Sequence, residues 1–292
     1  MLSIAKTIWE LSRDSFIAWQ EDGGAQLGAA LAFYTIISLA PVLIVVIMVA
    51  GLVFGEEAAR GEILTQISGL IGQDGASLVE QMLVKASQPS EGWLASTLGA
   101  AALVFGATNV FYQLRQALNR IWGTHKESRG TVFDLVGSRL IAFSTLLGAG
   151  FLLLVSLVVS AALSGLESVF ERWFFGADIL LQLLNFMVSF AVISVLFALL
   201  FRVLPNAPVR WRFALLGGAI TALLFSLGKL LIGWYLGQSA VGSLYGAAGS
   251  VVVLLVWVYY SAQIMLLGAE FTKVYHRRFV GKDRSQSLIE PE

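Results

Sequence analysis

The sequence predicts an all-α polytopic membrane bundle of about six transmembrane helices, and three observations carry that prediction. Of the 292 residues, 57% are hydrophobic and 13% charged, against roughly 25% charged in ordinary soluble domains, so much of the surface faces something other than water. The apolar residues gather into six blocks, at 29–54, 93–112, 140–163, 179–201, 213–236 and 250–270. Each approaches the roughly 20 helical residues that a hydrocarbon core about 30 Å thick requires. A spanning β-barrel would alternate polar and apolar residues over about ten positions, and stretches such as Leu146 to Val159 show no alternation.

Taken in order, residues 1–28 precede the first span. At 100° per residue Ile4, Ile8, Trp9, Leu11, Phe16 and Trp19 fall on one half of a helical wheel, and Lys6, Glu10 and Arg13 on the other. That pattern predicts an amphipathic helix lying on the cytoplasmic leaflet. The first apolar block begins only near Leu27 and is too long for a signal-peptide core, so this span is expected to stay in the membrane. Pro41 interrupts it and frees the carbonyl of Ile37, with Ser38 and Thr35 near enough to satisfy backbone groups; the kink is a hinge, a cavity wall or a passive bend.

The external connection after span 1 repeats helical spacing at Ile63, Ile67, Leu70 and Ile71, and again at Val79, Met82 and Leu83. Gly72 to Gly75 breaks the pattern, which predicts two short amphipathic helices. Span 2 continues as one long helix, because Leu114, Leu118, Ile121 and Trp122 keep its spacing up to Gly123. The uncharged segment from Gly233 to Gly249 holds five glycines interleaved with Gln238, Ser239, Ser243 and Tyr245. It reads either as a re-entrant or half-unwound external mouth or as a tight loop with small-residue packing at Gly233 and Gly237. The membrane domain is then 29–275, and 276–292 a polar cytoplasmic tail.

Orientation follows from Lys and Arg between the blocks. Fifteen lie in the N-terminal segment, the second and fourth connections and the tail, and three in the other connections, with Lys229 inside a span. The positive-inside rule places both termini in the cytoplasm.

Nineteen basic residues balance nineteen acidic ones, so no basic excess points to nucleic acid. With no cysteine, disulfides, thiolate metal sites and cysteine nucleophiles are excluded. No nucleophile stands at usable spacing from a base, and no cofactor is implied. Charge within a span costs about 2.5 to 3.5 kcal/mol on insertion scales, which makes an intramembrane ion a functional candidate. Lys229 lies about 10 Å from the end of span 5 at 1.5 Å per residue, a depth that also lets it snorkel outward. Glu270 ends span 6 at the opposite side, either as a proton or cation site or paired with Lys273 or Arg277 on the next turn. Asn109, Asn185 and Gln263 are buried amides, serving as interhelical glue or as solute contacts. The candidate transport path is therefore Lys229, Glu270, Asn109, Gln263, Pro41, Tyr34, Tyr245, Gly246 and Gly249.

Several ordered blocks resemble one family. They are Ala29-Ala-Leu-Ala-Phe-Tyr-Thr-Ile-Ile-Ser-Leu-Ala-Pro41, Ala117-Leu-Asn-Arg-Ile-Trp122, Arg202-Val-Leu-Pro-Asn-Ala-Pro208, and Tyr245-Gly-Ala-Ala-Gly-Ser250 leading through Leu255-Val-Trp257 to Leu267-Gly-Ala-Glu-Phe271. Over about residues 20 to 275 the chain looks like the YihY/virulence factor BrkB family of bacterial inner-membrane proteins, formerly labelled ribonuclease BN. The resemblance implies a six-span inner-membrane protein and supplies no settled activity. Ribonuclease chemistry would need convergent His and carboxylate ligands and a basic face with stacking aromatics. Only His125 and His276 are present, in no metal-ligand spacing, and both read as solvated juxtamembrane residues.

The expected function is a transporter or lipid- or amphiphile-handling protein, with membrane lipids and a small-molecule or lipid cargo as partners and no nucleic acid. The sparse core charge favours apolar or zwitterionic cargo. The alternative is a non-transporting envelope-integrity or assembly factor.

Overall fold

A computed structural model describes residues 2–87, 93–124, 177–238 and 249–287, with a few isolated positions between 137 and 152. Across these residues the protein is a bundle of helices: α1 (Leu2–Glu21), α2 (Gly24–Phe54), α3 (Glu56–Ala86), α4 (Trp93–Ile121), α5 (Ala177–Val203), α6 (Trp211–Gln238) and α7 (Gly249–Ser287). Four stretches are long and apolar enough to cross a membrane, namely Gly24–Leu52, Phe186–Val203, Trp211–Leu231 and Gly249–Phe279. The α-helical membrane bundle is therefore as the sequence predicts. Four such stretches do not establish a count of six: most of block 140–163 lies outside the described residues, and block 93–112 falls within α4.

The bundle is centred on α7, which packs against α1, α2, α3, α4 and α6, while α5 pairs mainly with α6. One core cluster joins Leu114, Leu118 and Ile121 of α4 to Phe197 and Phe201 of α5 and Leu266 of α7. A second, toward the other end, joins Ile47 of α2, Ile71, Val79 and Leu83 of α3, and Leu254 of α7. Large apolar side chains also cover the outside, including Phe33, Leu52, Phe186 and Leu230, as lipid-facing surfaces require.

The α6–α7 contact is built on small residues. Thr221 on α6 and Thr272 on α7 each donate a 2.7 Å hydrogen bond to the carbonyl one turn back, on Gly217 and Gly268 respectively. Each threonine also fills the space beside the other helix's glycine: a methyl group at Gly217 would collide with Thr272, and one at Gly268 with Thr221. The packing is reciprocal, a close backbone approach of the kind membrane helices use when no solvent drives association.

The connection between α2 and α4 is α3, two helical pieces joined at Gly72 with φ 81° and ψ 172°. That backbone region is essentially confined to glycine, and it falls at the predicted break. The two pieces lie on α2 and α7, with Ile71 and Val79 buried on either side of the bend.

Helix α1 forms where the periodicity places it, but its apolar side is divided. Leu11 and Ser15 are buried and the helix packs on α7, while Ile8, Trp9, Phe16 and Ile17 are exposed. Glu10 bonds Arg278 at 2.6 Å, and the indole of Trp19 donates to Gln263 at 3.1 Å, so the two helices run broadly antiparallel.

Candidate functional site

The helices line a half-open apolar cavity of about 300 Å³, at the lower end of ligand pockets. Leu31 and Thr35 of α2, Ile71 and Val79 of α3, and Trp257 and Ser261 of α7 line it, with further apolar residues from α4, α5 and α6. Phe225 meets Phe197 and Trp257 edge to face, with centroids 6.0 and 6.1 Å apart, and fixes one wall. Polar character in this wall is slight, since the Ser261 hydroxyl already donates to the Trp257 carbonyl at 2.9 Å. The bend at Gly72 lets both pieces of α3 contribute to the lining. A hydrocarbon chain or other apolar body fits this chemistry; a desolvated ion would find no compensating charge in it.

At the α1–α2 turn sits a largely buried ionic cluster. Gly23 in left-handed conformation (φ 73°) ends α1 and starts α2, presenting Asp22 to α7. Lys273 Nζ donates to Asp22 Oδ2 at 2.6 Å and lies 2.8 Å from Glu270 Oε2. Glu270 is fully buried. The ammonium thus bridges the two carboxyls. Burial pushes the Asp22 carboxyl up, but the neighbouring Glu270 carboxyl, Lys273 and the charge of Arg120 outweigh it and hold it below its ordinary value. One ammonium between two carboxyls leaves the cluster able to carry a proton.

A second polar assembly ties α4 to the α5–α6 connection. Arg115, 7% exposed, donates from Nη2 to Asn206 Oδ1 at 2.7 Å. Asn119 Oδ1 accepts from the Asn206 backbone N–H at 2.7 Å and from Thr124 at 3.2 Å. Arg202 donates to the Val209 carbonyl and its guanidinium lies 4.8 Å from the Trp211 ring centre. Two of the sequence blocks quoted above, around Asn119 and Asn206, thus meet in space.

The predicted path residues separate. Glu270 enters the ionic cluster with Lys273, together with Asp22, which sequence reading did not include. Gln263 accepts from Trp19 and donates to the Ala25 carbonyl at 3.3 Å, which makes it a tie between α7 and the α1–α2 region. Lys229 is on the exposed face of α6 beside exposed Leu230 and Leu231 and does not line the cavity. Asn109 and Tyr34 are half-buried, and Pro41 packs against α4, where a methyl group on Gly106 would sit 3.0 Å from its Cγ. Gly233 and Gly237 are helical within α6, and Gly249 begins α7; Tyr245 and Gly246 lie outside the described residues. His276 is not solvated as the sequence suggests: it is half-buried, edge to face with Trp122 and Phe213 at 5.7 and 5.0 Å. His125 is outside the described residues.

Long apolar helices around an apolar cavity, with ion pairs at one end, define a polytopic α-helical membrane protein. The chain belongs to the virulence factor BrkB family, whose model matches residues 15–290. It is 29% identical over 88% of its length to a UPF0761 membrane protein of Saccharophagus degradans, covering 58% of that protein. It is 34% identical over 61% of its length to a UPF0761 membrane protein of Tolumonas auensis, covering 56% of it. A UPF0761 membrane protein of Verminephrobacter eiseniae is 31% identical over 91% of this chain and 61% of its own length. The chain thus spans about three-fifths of the length of the curated relatives it matches. No solved structure matches.

Proposed function

We propose that the protein is a transporter or lipid- or amphiphile-handling protein of the bacterial inner membrane, non-enzymatic, with both termini in the cytoplasm. The observation that carries this reading is the apolar cavity between α2, α3 and α7. It is sized and lined for a hydrocarbon chain, and the expected apolar or zwitterionic cargo matches its wall. The excess of Lys and Arg in the N-terminal segment, residues 113–139, the α5–α6 connection and the tail supports the orientation. The Asp22–Glu270–Lys273 cluster at that cytoplasmic end is where a proton would be taken up if transfer is coupled to one.

The test is transfer of a fluorescent amphiphile between leaflets of proteoliposomes, comparing wild type with Ala262→Phe and Met265→Trp, which put bulk into the cavity. Loss of transfer at matched levels of folded protein is the expected result. Transfer unchanged in both, or absent in wild type across apolar, zwitterionic and anionic amphiphiles, overturns the reading. A second reading, a non-transporting envelope-integrity or assembly factor, is favoured by the exposed apolar face of α1, with Trp9 70% and Ile8 60% exposed. It expects that polar substitutions at Ile8 and Trp9 abolish the cellular phenotype while filling the cavity leaves it intact.

A further inference from the structure

A groove separate from the apolar cavity runs between α2 and α4, about 400 Å³ in volume, with Gln113, Gln116 and Arg120 along one side and Leu27, Ala30 and Leu31 along the other. The three polar residues follow at i, i+3 and i+7, so they share one face of α4. Asn109, one turn before Gln113, continues that stripe, which extends about 16 Å from Arg120 at 1.5 Å per residue. Leu31 belongs to both spaces: it lines the groove and the apolar cavity. Arg120 is exposed, and the acid that acts on it, Asp22, already accepts the Lys273 hydrogen bond.

We propose that this groove binds the phosphate headgroup of an anionic membrane lipid, Arg120 supplying the charge and Gln116 and Gln113 the amide donors, while its chain crosses Leu31 into the apolar cavity. This names the cargo class and rests on the amphiphile-handling reading above. Charge complementarity selects an anion, because among the described residues the groove is lined by a guanidinium and no carboxylate. The apolar opposite wall and the shared Leu31 select a lipid over a free anion, since only a headgroup joined to a chain satisfies both spaces at once. Sequence reading favoured apolar or zwitterionic cargo because core charge is sparse; the groove puts the one needed charge at the mouth instead of in the core.

The experiment uses the full chain in phosphatidylcholine nanodiscs and lipids with brominated chains, which quench Trp257 in the cavity wall; Trp257→Phe gives the background. Brominated phosphatidylglycerol is expected to quench the Trp257 signal at a concentration about fivefold lower than brominated phosphatidylcholine, the scale of one solvent-accessible ion pair. Arg120→Gln should bring that ratio close to one, Arg120→Lys should restore part of it, and Arg277→Gln, at an exposed cation on α7 rather than α4, should leave it unchanged. Millimolar inorganic phosphate should not displace the lipid. A ratio insensitive to Arg120→Gln, or lowered equally by Arg277→Gln, overturns the headgroup site while quenching of Trp257 leaves the cavity reading standing. Displacement by free phosphate also overturns the lipid assignment. Absence of Trp257 quenching by either lipid overturns both.

Discussion

Removing Lys273 should destabilise the protein far more than neutralising Glu270, although the two residues are partners. Among the described residues Lys273 is the cation that bridges Asp22 and Glu270, at 2.6 and 2.8 Å, and its side chain is 7% exposed. Lys273→Met leaves two carboxyls facing each other in a buried site. Breaking a buried ion pair from one side typically costs about 3 to 5 kcal/mol, and the partial exposure of Asp22 favours the lower end. Glu270→Gln removes the excess negative charge and keeps the Asp22–Lys273 pair, so its effect should stay within about 1 kcal/mol of zero. Lys273→Met combined with Glu270→Gln should recover a large part of the single-variant loss, a coupling visible in a double-mutant cycle. The assay is equilibrium unfolding in mixed micelles, followed by tryptophan fluorescence. Equal destabilisation by the two single substitutions, or strict additivity in the double variant, would refute the reasoning that Lys273 holds two mutually repelling carboxyls.

The same cluster sets a pH dependence. The folded Asp22 carboxyl is held below its ordinary value, so its contribution is present above the usual carboxylate range near pH 4 and disappears as pH falls through the folded value; Asp22→Asn should flatten the acid limb of an unfolding curve below about pH 5. At Gly72, Ala places a Cβ in open space but on a backbone reserved for glycine, and Gly72→Ala should cost about 1 to 3 kcal/mol, seen as faster proteolysis of α3. Asn119→Ala strips the acceptor from the Asn206 backbone N–H and should cost about 1 to 3 kcal/mol, measured by the same unfolding assay. Gly217→Val should cost a similar amount by overpacking against Thr272, and a paired Thr272→Ala should relieve most of it.

Sequence reading recovered what periodicity and composition control. The apolar blocks give α2, α5, α6 and α7, and the paired glycines between two helical repeats mark the bend in α3. A pairing of Glu270 with Lys273 or Arg277 is legible because spacing on one helix fixes those distances, and the structure selects Lys273. Asp22 was not legible, because it lies 251 residues away in sequence from Lys273 and nothing local points to it. The cavity was illegible for another reason: Leu31, Val79, Phe197 and Trp257 would look the same if they touched each other, and only the placement of whole helices distinguishes a void from a contact. Polarity within a span drew attention to Lys229 and Gln263, yet the first faces outward and the second spends its amide on Trp19 and Ala25. On α1 the wheel identifies an apolar side but not what covers it, which proved to be α7 for Leu11 and nothing for Trp9.

The interlocked threonines and glycines of α6 and α7 make those two helices a single mechanical part. Sliding either by one residue, about 1.5 Å, would drive a threonine into the opposite backbone, so this seam resists shear. Shape change in the bundle must then be accommodated elsewhere: by α2, with a proline in mid-helix, by α3, already bent at Gly72, and by α1 turning about Gly23. Cavity and groove both have α2 as a wall. A movement of that one helix against the fixed pair would alter the two spaces together, and the ion cluster at its base is where such a movement would be felt first.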